Sequence, residues 1–271
     1  MNLKDKVVVI TGASSGIGKA MVYEFASRGA NVVLAARQYV TLCEISEDVQ
    51  KKYPVKALSI QCDVSKEGDC ESMIKQTVAT FARIDVLVNN AGITMRALFK
   101  DMDLSVFKSV MDINFWGTVY CTRYAMPQLL ANKGTVVGIS SISGIKGLPS
   151  RSAYSASKFA MNGFLDSLRT ENLHTGLNVL IACPGFTASN IRNVALDKNG
   201  NQQGESNLEE DKMMTAEEVA KRIATGVENK ARTLVMTTQG KLTNLLSKFV
   251  PGLLDKLVYN VFAKEKDSLL K

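Results

Sequence analysis

The opening eighteen residues constrain the fold more tightly than any other stretch. Lys6–Thr11 is a short β-branched run, the composition of a strand buried on both faces. It runs straight into Thr11-Gly12-Ala13-Ser14-Ser15-Gly16-Ile17-Gly18, and an amphipathic segment follows to about Arg28. Strand, glycine turn and helix in that order aim backbone N–H groups and a helix N-terminus at a phosphate. The spacing is Gly-x-x-x-Gly-x-Gly, not the Gly-x-Gly-x-x-Gly of the common dinucleotide fingerprint, and many glycine loops merely turn the chain. In this context Gly12, Ser14, Ser15, Gly16, Ile17 and Gly18 are expected to cradle a pyrophosphate.

The strand–helix alternation then continues. Asn31–Ala36 is a second strand ending in Leu34-Ala35-Ala36-Arg37. An acidic residue there would hold ribose hydroxyls and favour NAD. None is present, and Arg37 can pair with a 2′-phosphate, so NADP (NADPH) is expected; the alternative is a solvated surface charge. Val55–Gln61 is a strand closed by Cys62-Asp63-Val64, with a helix from about Lys66 to Phe81. Asp63 is placed to accept from an adenine amino group or to cap that helix. Ile84–Asn89 leads into Asn90-Ala91-Gly92, Gly134–Ser140 into Ser141, and Leu177–Cys183 into Pro184-Gly185-Phe186-Thr187-Ala188-Ser189. Residues 190–214 are polar, the length of a lid or a disordered segment. Thr215-Ala-Glu-Glu218 has the pattern of a capping box, and Arg232–Thr237 is a last strand. With no repeat and no linker, the chain reads as one domain: 1–240 with its lid, and 241–271 as an amphipathic extension.

Two helical stretches carry candidate chemistry. Ser152 opens a helix reaching about Thr175, on which Tyr154 and Lys158 stand four residues apart on one face. A phenol has a reference pKa of about 10, and an ammonium beside it favours the phenolate, making a proton-exchanging group. A surface pair is the plain alternative. Asp101–Asn132 is mostly helical yet contains Asn114 and Gly117, poor mid-helix residues that suggest a local distortion. Ser141 precedes Tyr154 by thirteen residues, across a turn with Gly and Pro.

Taken together, Thr11-Gly12-x-x-x-Gly16-x-Gly18, Asn89-Asn90-Ala91-Gly92, Asn114, Ser141, Tyr154-x-x-x-Lys158 and Pro184-Gly185 resemble the short-chain dehydrogenase/reductase family, over roughly residues 5–240. The resemblance implies an α/β fold: a single-domain Rossmann-type doubly wound parallel sheet of about seven strands with helices on both faces. It implies an NAD(P)-dependent oxidoreductase, which the Arg37 strand end makes NADP(H)-dependent, interconverting a ketone or aldehyde and an alcohol by hydride transfer. Tyr154 would be the general acid/base, and Lys158 would lower the tyrosine pKa while bonding the nicotinamide ribose. Ser141 would hold the substrate oxygen, and Asn114 would anchor a water relay to the lysine. Thr187 and Ser189 would bind the carboxamide, with Ser189 where the family more often has Thr. Arg37, Asp63, Val64, Asn90, Ala91, Gly92, Pro184 and Gly185 complete the cofactor set. The Ala36-Arg37 strand end, the lid and the extension resemble the hydroxysteroid-dehydrogenase-like and lipid-reductase-like branches, which implies a hydrophobic, steroid- or lipid-like carbonyl. The family also implies a homodimer or homotetramer.

Other classes are disfavoured. The net charge of +7 comes from scattered basic residues without a basic-aromatic repeat, so no nucleic-acid partner is expected. Five cysteines (Cys43, Cys62, Cys70, Cys121, Cys183) lack C-x-x-C spacing and histidine partners, so they read as free thiols in a reducing, cytoplasmic compartment, with no metal site. The one histidine, His174, falls at a helix end, which excludes Ser-His-Asp chemistry unless it serves alone. The N-terminus reads as a first strand rather than a signal peptide, and no apolar run reaches 18 residues. After Gly240, paired apolar residues from Leu242 to Phe262 recur every four residues, broken at Pro251-Gly252 and accompanied by Lys241, Lys248, Lys256, Lys264 and Lys266. Packing on the chain's own core or a second subunit is the favoured reading of that stripe. Cover for a substrate mouth and peripheral membrane contact are the alternatives. A nucleotide-binding regulatory or membrane-peripheral protein with little turnover is the rival function.

Overall fold

A computed structural model describes residues 1–185, 187, 194–204, 213–264 and 268–270. β1 (Val7–Thr11), β2 (Asn31–Ala36), β3 (Ala57–Gln61), β4 (Val86–Asn89), β5 (Thr135–Ile139), β6 (Asn178–Cys183) and β7 (Thr233–Val235) form one seven-stranded sheet. Every pairing is parallel, in the order β3-β2-β1-β4-β5-β6-β7. The strands are continuous apolar runs because both faces are covered. Val8 and Ile10 of β1 enter one core with α1 (Gly16–Ser27), α2 (Tyr39–Lys52) and α7 (Ala216–Glu228), including Phe25, Leu42 and Ile223. Val7 and Val9 enter the other with α3 (Glu67–Phe81), α5 (Gly117–Ala131) and α6 (Ser152–Glu171), including Met73, Leu129 and Leu165. The period-two alternation of the strand residues divides them between the two layers.

The long stretch before β5 is interrupted, as Asn114 and Gly117 suggested. α4 (Leu104–Met111) passes into a π-helical turn, Asp112–Trp116, before α5 begins. Gly117 is required by packing, since a Cβ there would lie 2.8 Å from Cγ2 of Val64. Thr215 caps α7, its hydroxyl oxygen accepting from Glu218 N at 3.1 Å. The last strand has only three residues, shorter than Arg232–Thr237.

The C-terminal stripe forms α8 (Thr238–Phe249) and α9 (Pro251–Ala263), with Pro251 opening the second helix. Only one side of this stripe is covered by the chain itself: Leu254 is buried, and Leu246, Val258 and Phe262 are half-buried. Leu242, Leu245, Phe249, Leu253 and Leu257 are all exposed, and of α8 and α9 only Gly240 and Leu254 are buried. Among the described residues no helix is long and apolar enough to cross a membrane.

Candidate functional site

The strand order reverses between β1 and β4, which opens a crevice at their carboxyl ends where ligands bind in such sheets. Thr11, the last residue of β1, closes it from below. Its hydroxyl donates to Val88 O (3.3 Å) and accepts from Asn90 N and Ala91 N, each at 3.0 Å. Asn90 returns the contact, its Nδ2 donating to Thr11 O at 2.9 Å and Gly12 O at 3.2 Å. Gly18 must lack a side chain, because a Cβ there would stand 2.6 Å from that same Nδ2. The glycine loop is thus tied to a segment almost eighty residues away.

Above this floor lies a cleft of about 470 Å³. Gly12, Ser14, Ser15, Gly16, Ile17, Gly18, Arg37, Asp63, Val64, Asn90, Ala91 and Gly92, all singled out in the sequence, line it together. Its chemistry fits a dinucleotide phosphate. The N-terminus of α1 opens into it with no acidic residue in the first turn. Among the described residues the exposed Arg37 guanidinium has no hydrogen-bond or ion-pair partner. Two expected residues behave differently in detail. The Ser14 hydroxyl donates to Gln38 Oε1 at 2.7 Å, so its hydrogen is already engaged. Asp63 does not cap α3, where Lys66 is the cap position; its Oδ1 accepts from Ser65 N (3.1 Å) and Oγ (2.7 Å) in a tight turn.

Asn114, Lys158 and Gly92 converge at one end of the cleft. Asn114 is fully buried in the π-helical turn, its Oδ1 accepting from Ile93 N (2.8 Å) and its Nδ2 donating to Ile93 O (2.9 Å) and Ser157 Oγ (2.9 Å). Its backbone carbonyl accepts from Thr118 Oγ1 at 2.9 Å. A Cβ on Gly92 would stand 3.1 Å from Asn114 Oδ1 and 3.6 Å from Lys158 Nζ, which puts the ammonium directly behind the cleft wall. Lys158 is 4 % exposed and donates to Ile139 O at 2.8 Å. Its Nζ lies 5.7 Å from the ring centroid of Tyr154, one turn earlier on α6. Ser157 joins the set by donating to Tyr154 O at 2.8 Å.

Burial pushes the Lys158 pKa down to about 8, against the ordinary value of 10.5. Between those values the unfolded chain binds more protons than the folded one, so stability rises with pH across that window. The favourable contribution is complete above about 10.5 and is lost as pH falls to about 8. The shift corresponds to about 3 kcal/mol at neutral pH. Part of this is offset in Lys158→Met, which leaves the Ile139 carbonyl unpaired at a cost of about 1–3 kcal/mol. We expect Lys158→Met to raise the thermal midpoint at pH 7 by a few degrees, an advantage shrinking towards pH 10, measured by calorimetry. A lower midpoint at pH 7 would refute the burial argument.

Ser141 follows β5 and caps a 3₁₀ turn, Ile142–Gly144, its Oγ accepting from Ser143 N at 3.1 Å. That turn is held to α6 by Asn162 Nδ2, which donates to Gly144 O at 2.9 Å. Pro184 and Gly185 follow β6, and Thr187, 5 % exposed, donates to Gly185 O at 3.2 Å. None of these last three lines the cleft. Ser189 lies outside the described residues. Residues 194–204 of the expected lid run beside residues 94–97: Leu196 N donates to Thr94 O (3.0 Å) and Arg96 N to Leu196 O (2.8 Å). Val194, Leu196 and Gln202 thereby enter the cleft wall.

Sequence reasoning did not single out Gln38, Ile93 or Ser157, and it expected the 190–214 lid without naming Val194, Leu196 or Gln202. Ser157 stands inside the Tyr154–Lys158 segment and Gln38 beside Arg37, so proximity to motif residues was the available signal. All five cysteines are free; Cys62, Cys70, Cys121 and Cys183 are buried, with Cys70 and Cys121 sulfurs 3.5 Å apart. Burial pushes the Cys183 thiol up to about 11. Among the described residues no cluster of His, Cys, Asp and Glu could hold a metal.

Residues 6–200 match the family model described as short chain dehydrogenase. The 11-beta-hydroxysteroid dehydrogenase 1A of Arabidopsis thaliana is 36% identical over 264 residues, covering 94% of this chain and 74% of that protein. The 11-beta-hydroxysteroid dehydrogenase A of Sesamum indicum is 43% identical over 187 residues, 69% of this chain, and the match spans only 53% of the sesame protein. A Burkholderia phymatum short chain dehydrogenase/reductase in complex with NAD superposes with a TM-score of 0.84 at 20% identity, covering 93% of this chain and 96% of its own. An alcohol dehydrogenase of Thermococcus sibiricus complexed with 5-hydroxy-NADP gives 0.75 at 22% identity, covering 85% and 95%.

Proposed function

The chain belongs to the short chain dehydrogenase family, in its hydroxysteroid-dehydrogenase-like branch, and from that premise we propose that this oxidoreductase is an NADP(H)-dependent enzyme interconverting a hydrophobic ketone or aldehyde and its alcohol. The observation that carries the reading is the meeting of Asn114, Lys158 and Tyr154 at the end of a phosphate-fitted cleft. NADPH, when bound, supplies the hydride. Tyr154 Oη gives its proton to the substrate oxygen in reduction and takes it back in oxidation. Lys158, charged at neutral pH and held beside the ring, favours the phenolate that this exchange requires. Ser141 Oγ accepts from Ser143 N, which leaves its own hydrogen to donate towards the substrate oxygen. Asn114 braces Ile93 and Ser157, and beside Lys158 it would anchor a water relay to that ammonium. Thr187 and Ser189 would hold the carboxamide, and unpaired Arg37 would hold the 2′-phosphate.

The hydroxysteroid names of the plant relatives and the apolar lid residues Val194 and Leu196 support a steroid- or lipid-like substrate. Free, buried thiols support a cytoplasmic, reducing compartment. Exposed Trp116 and Phe159, with Phe115 edge-on to both Trp116 and Phe164, support self-association through α5 and α6. The test is a panel of steroid, long-chain and small ketones followed by NADPH absorbance. Turnover of bulky apolar ketones with NADPH is expected. NADPH binding without turnover of any member, or of the corresponding alcohols with NADP, would instead favour a nucleotide-binding regulator.

A further inference from the structure

Ser141 and Tyr154 must reach the same substrate oxygen, yet they stand on different elements. Ser141 follows β5, and Tyr154 lies in the first turn of α6. A misplacement of about 1 Å between such groups can cost about a hundredfold in rate. Some contact must therefore set the turn that carries Ser141 against the helix that carries Tyr154.

Hydrogen bonds within the turn fix its shape and not its place. Ser143 N donates to Ser141 Oγ, Gly144 N to Ser141 O at 3.0 Å and Ile145 N to Ile142 O at 2.9 Å. Ser140 N donates to Ala182 O at 2.7 Å, which ties the strand end to β6. The tie to α6 comes from Asn162, which stands four residues beyond Lys158 and eight beyond Tyr154 on one helix face. Its Nδ2 donates to Gly144 O at 2.9 Å. Gly144 is pressed onto the helix at the same point. A Cβ there would lie 2.6 Å from Ser140 Oγ, 2.8 Å from Asn162 Nδ2 and 3.1 Å from Lys158 O. The turn thus rests on the α6 backbone with no room for a methyl group.

The amide at this place works against stability. Asn162 Oδ1 is buried and, among the described residues, has no hydrogen-bond partner. A leucine has the same outline and would orphan no amide oxygen. Residues that break this rule are expected where function requires them. We propose that Asn162 is a positioning residue for the reaction: through Gly144 it sets the distance between the Ser141 hydroxyl and the Tyr154 phenol. Asn162 itself does not line the cleft. The assignment rests on the oxidoreductase reading, with Ser141 as the donor to the substrate oxygen.

The test is a double-mutant cycle on the full chain, with NADPH and the best ketone from the panel. Ser141→Ala alone is expected to lower kcat by about a hundred- to a thousandfold. Asn162→Leu replaces a donor 2.9 Å from Gly144 O by a methyl that needs about 3.4 Å, which moves the turn by about half an ångström. It should lower kcat by about tenfold or more and leave the ketone KM and the NADPH affinity within about twofold. Its thermal midpoint should stay within about two degrees of wild type, because one unpaired buried acceptor replaces another. Gly144→Ala crowds the same contact from the turn side and should give the same kinetic signature. On the Ser141→Ala background either substitution should change kcat by less than about twofold, since no donor remains to be misplaced. Equal fold-losses with and without Ser141 overturn the proposal. A loss of NADPH affinity that matches the loss of kcat assigns Asn162 to Lys158, one turn earlier, and overturns it as well. In both cases the wild type still turns over, so the oxidoreductase reading survives. A wild type that turns over no ketone removes that reading and the proposal together.

Discussion

Tyr154→Phe is expected to lower kcat by about a thousandfold or more while leaving nucleotide affinity within about twofold. The substitution removes one oxygen atom from a half-buried ring and keeps the ring packed on α6. What disappears is the only group proposed to exchange a proton with the substrate oxygen. Positioned acid–base groups contribute about a hundred- to ten-thousandfold, and among the described residues no second acid stands in line to replace the phenol. Lys158 donates to Ile139 O from behind the Gly92 wall, and Ser141 can stabilise charge without resupplying the proton. The residues proposed to contact the nucleotide lie along Gly12–Gly18, Arg37 and Asn90–Gly92 of the cleft wall, which does not include Tyr154. Steady-state kinetics with the best ketone from the panel, and NADPH fluorescence titration of the same preparation, separate the two effects. A Tyr154→Phe variant of ordinary activity removes the central claim. Equal losses of turnover and nucleotide affinity would mean the ring orders the cleft instead. Lys158→Met provides the contrast, since a group serving both ribose and phenol should lower both quantities.

Most of the fold was legible because a doubly wound sheet writes itself locally. Strands covered on both faces must be short apolar runs, and the runs at Val7–Thr11, Asn31–Ala36 and Asn178–Cys183 leave few alternatives. The distortion at Asn114 was legible for the opposite reason: Asn and Gly are poor choices within one helix, and the π-helical turn holds Asn114 and ends just before Gly117. Long-range ties were not legible. Thr11 holds Asn90 and Ala91 only because β1 pairs with β4 across the strand-order reversal, a fact of topology that no local pattern states. The engagement of Ser14 by Gln38 is of the same kind. The solvent-facing rows of α8 and α9 were unreadable because periodicity shows that a stripe exists and says nothing about what covers it. His174 ends exposed beyond α6, at the opposite end of that helix from Tyr154 and Lys158.

Arg37→Asp is expected to reverse cofactor preference, changing the ratio of kcat/KM for NADPH over NADH by about a hundredfold or more. Arg37 ends the β2 edge of the cleft with its guanidinium exposed and, among the described residues, unpaired. A 2′-phosphate offers that fork three oxygens and nearly two negative charges. Its neighbours set the direction of the change. Ala36 brings no carboxylate, the Ser14 hydroxyl is committed to Gln38, and Gln61 Nε2 holds the Arg37 carbonyl at 3.2 Å. The arginine backbone is therefore fixed while its side chain alone answers the charge. Aspartate at this place reverses the sign, repelling the phosphate and offering two acceptors to unphosphorylated ribose hydroxyls. Because the group is exposed, solvent weakens both effects, and the NADPH preference of the wild type should itself fall as salt rises. Kinetics with both cofactors at low and high salt read all of this at once. A wild type that uses NADH as well as NADPH would show that Arg37 is an ordinary surface charge. A variant that loses both cofactors equally would show that the strand end serves the shape of the cleft rather than the choice of phosphate.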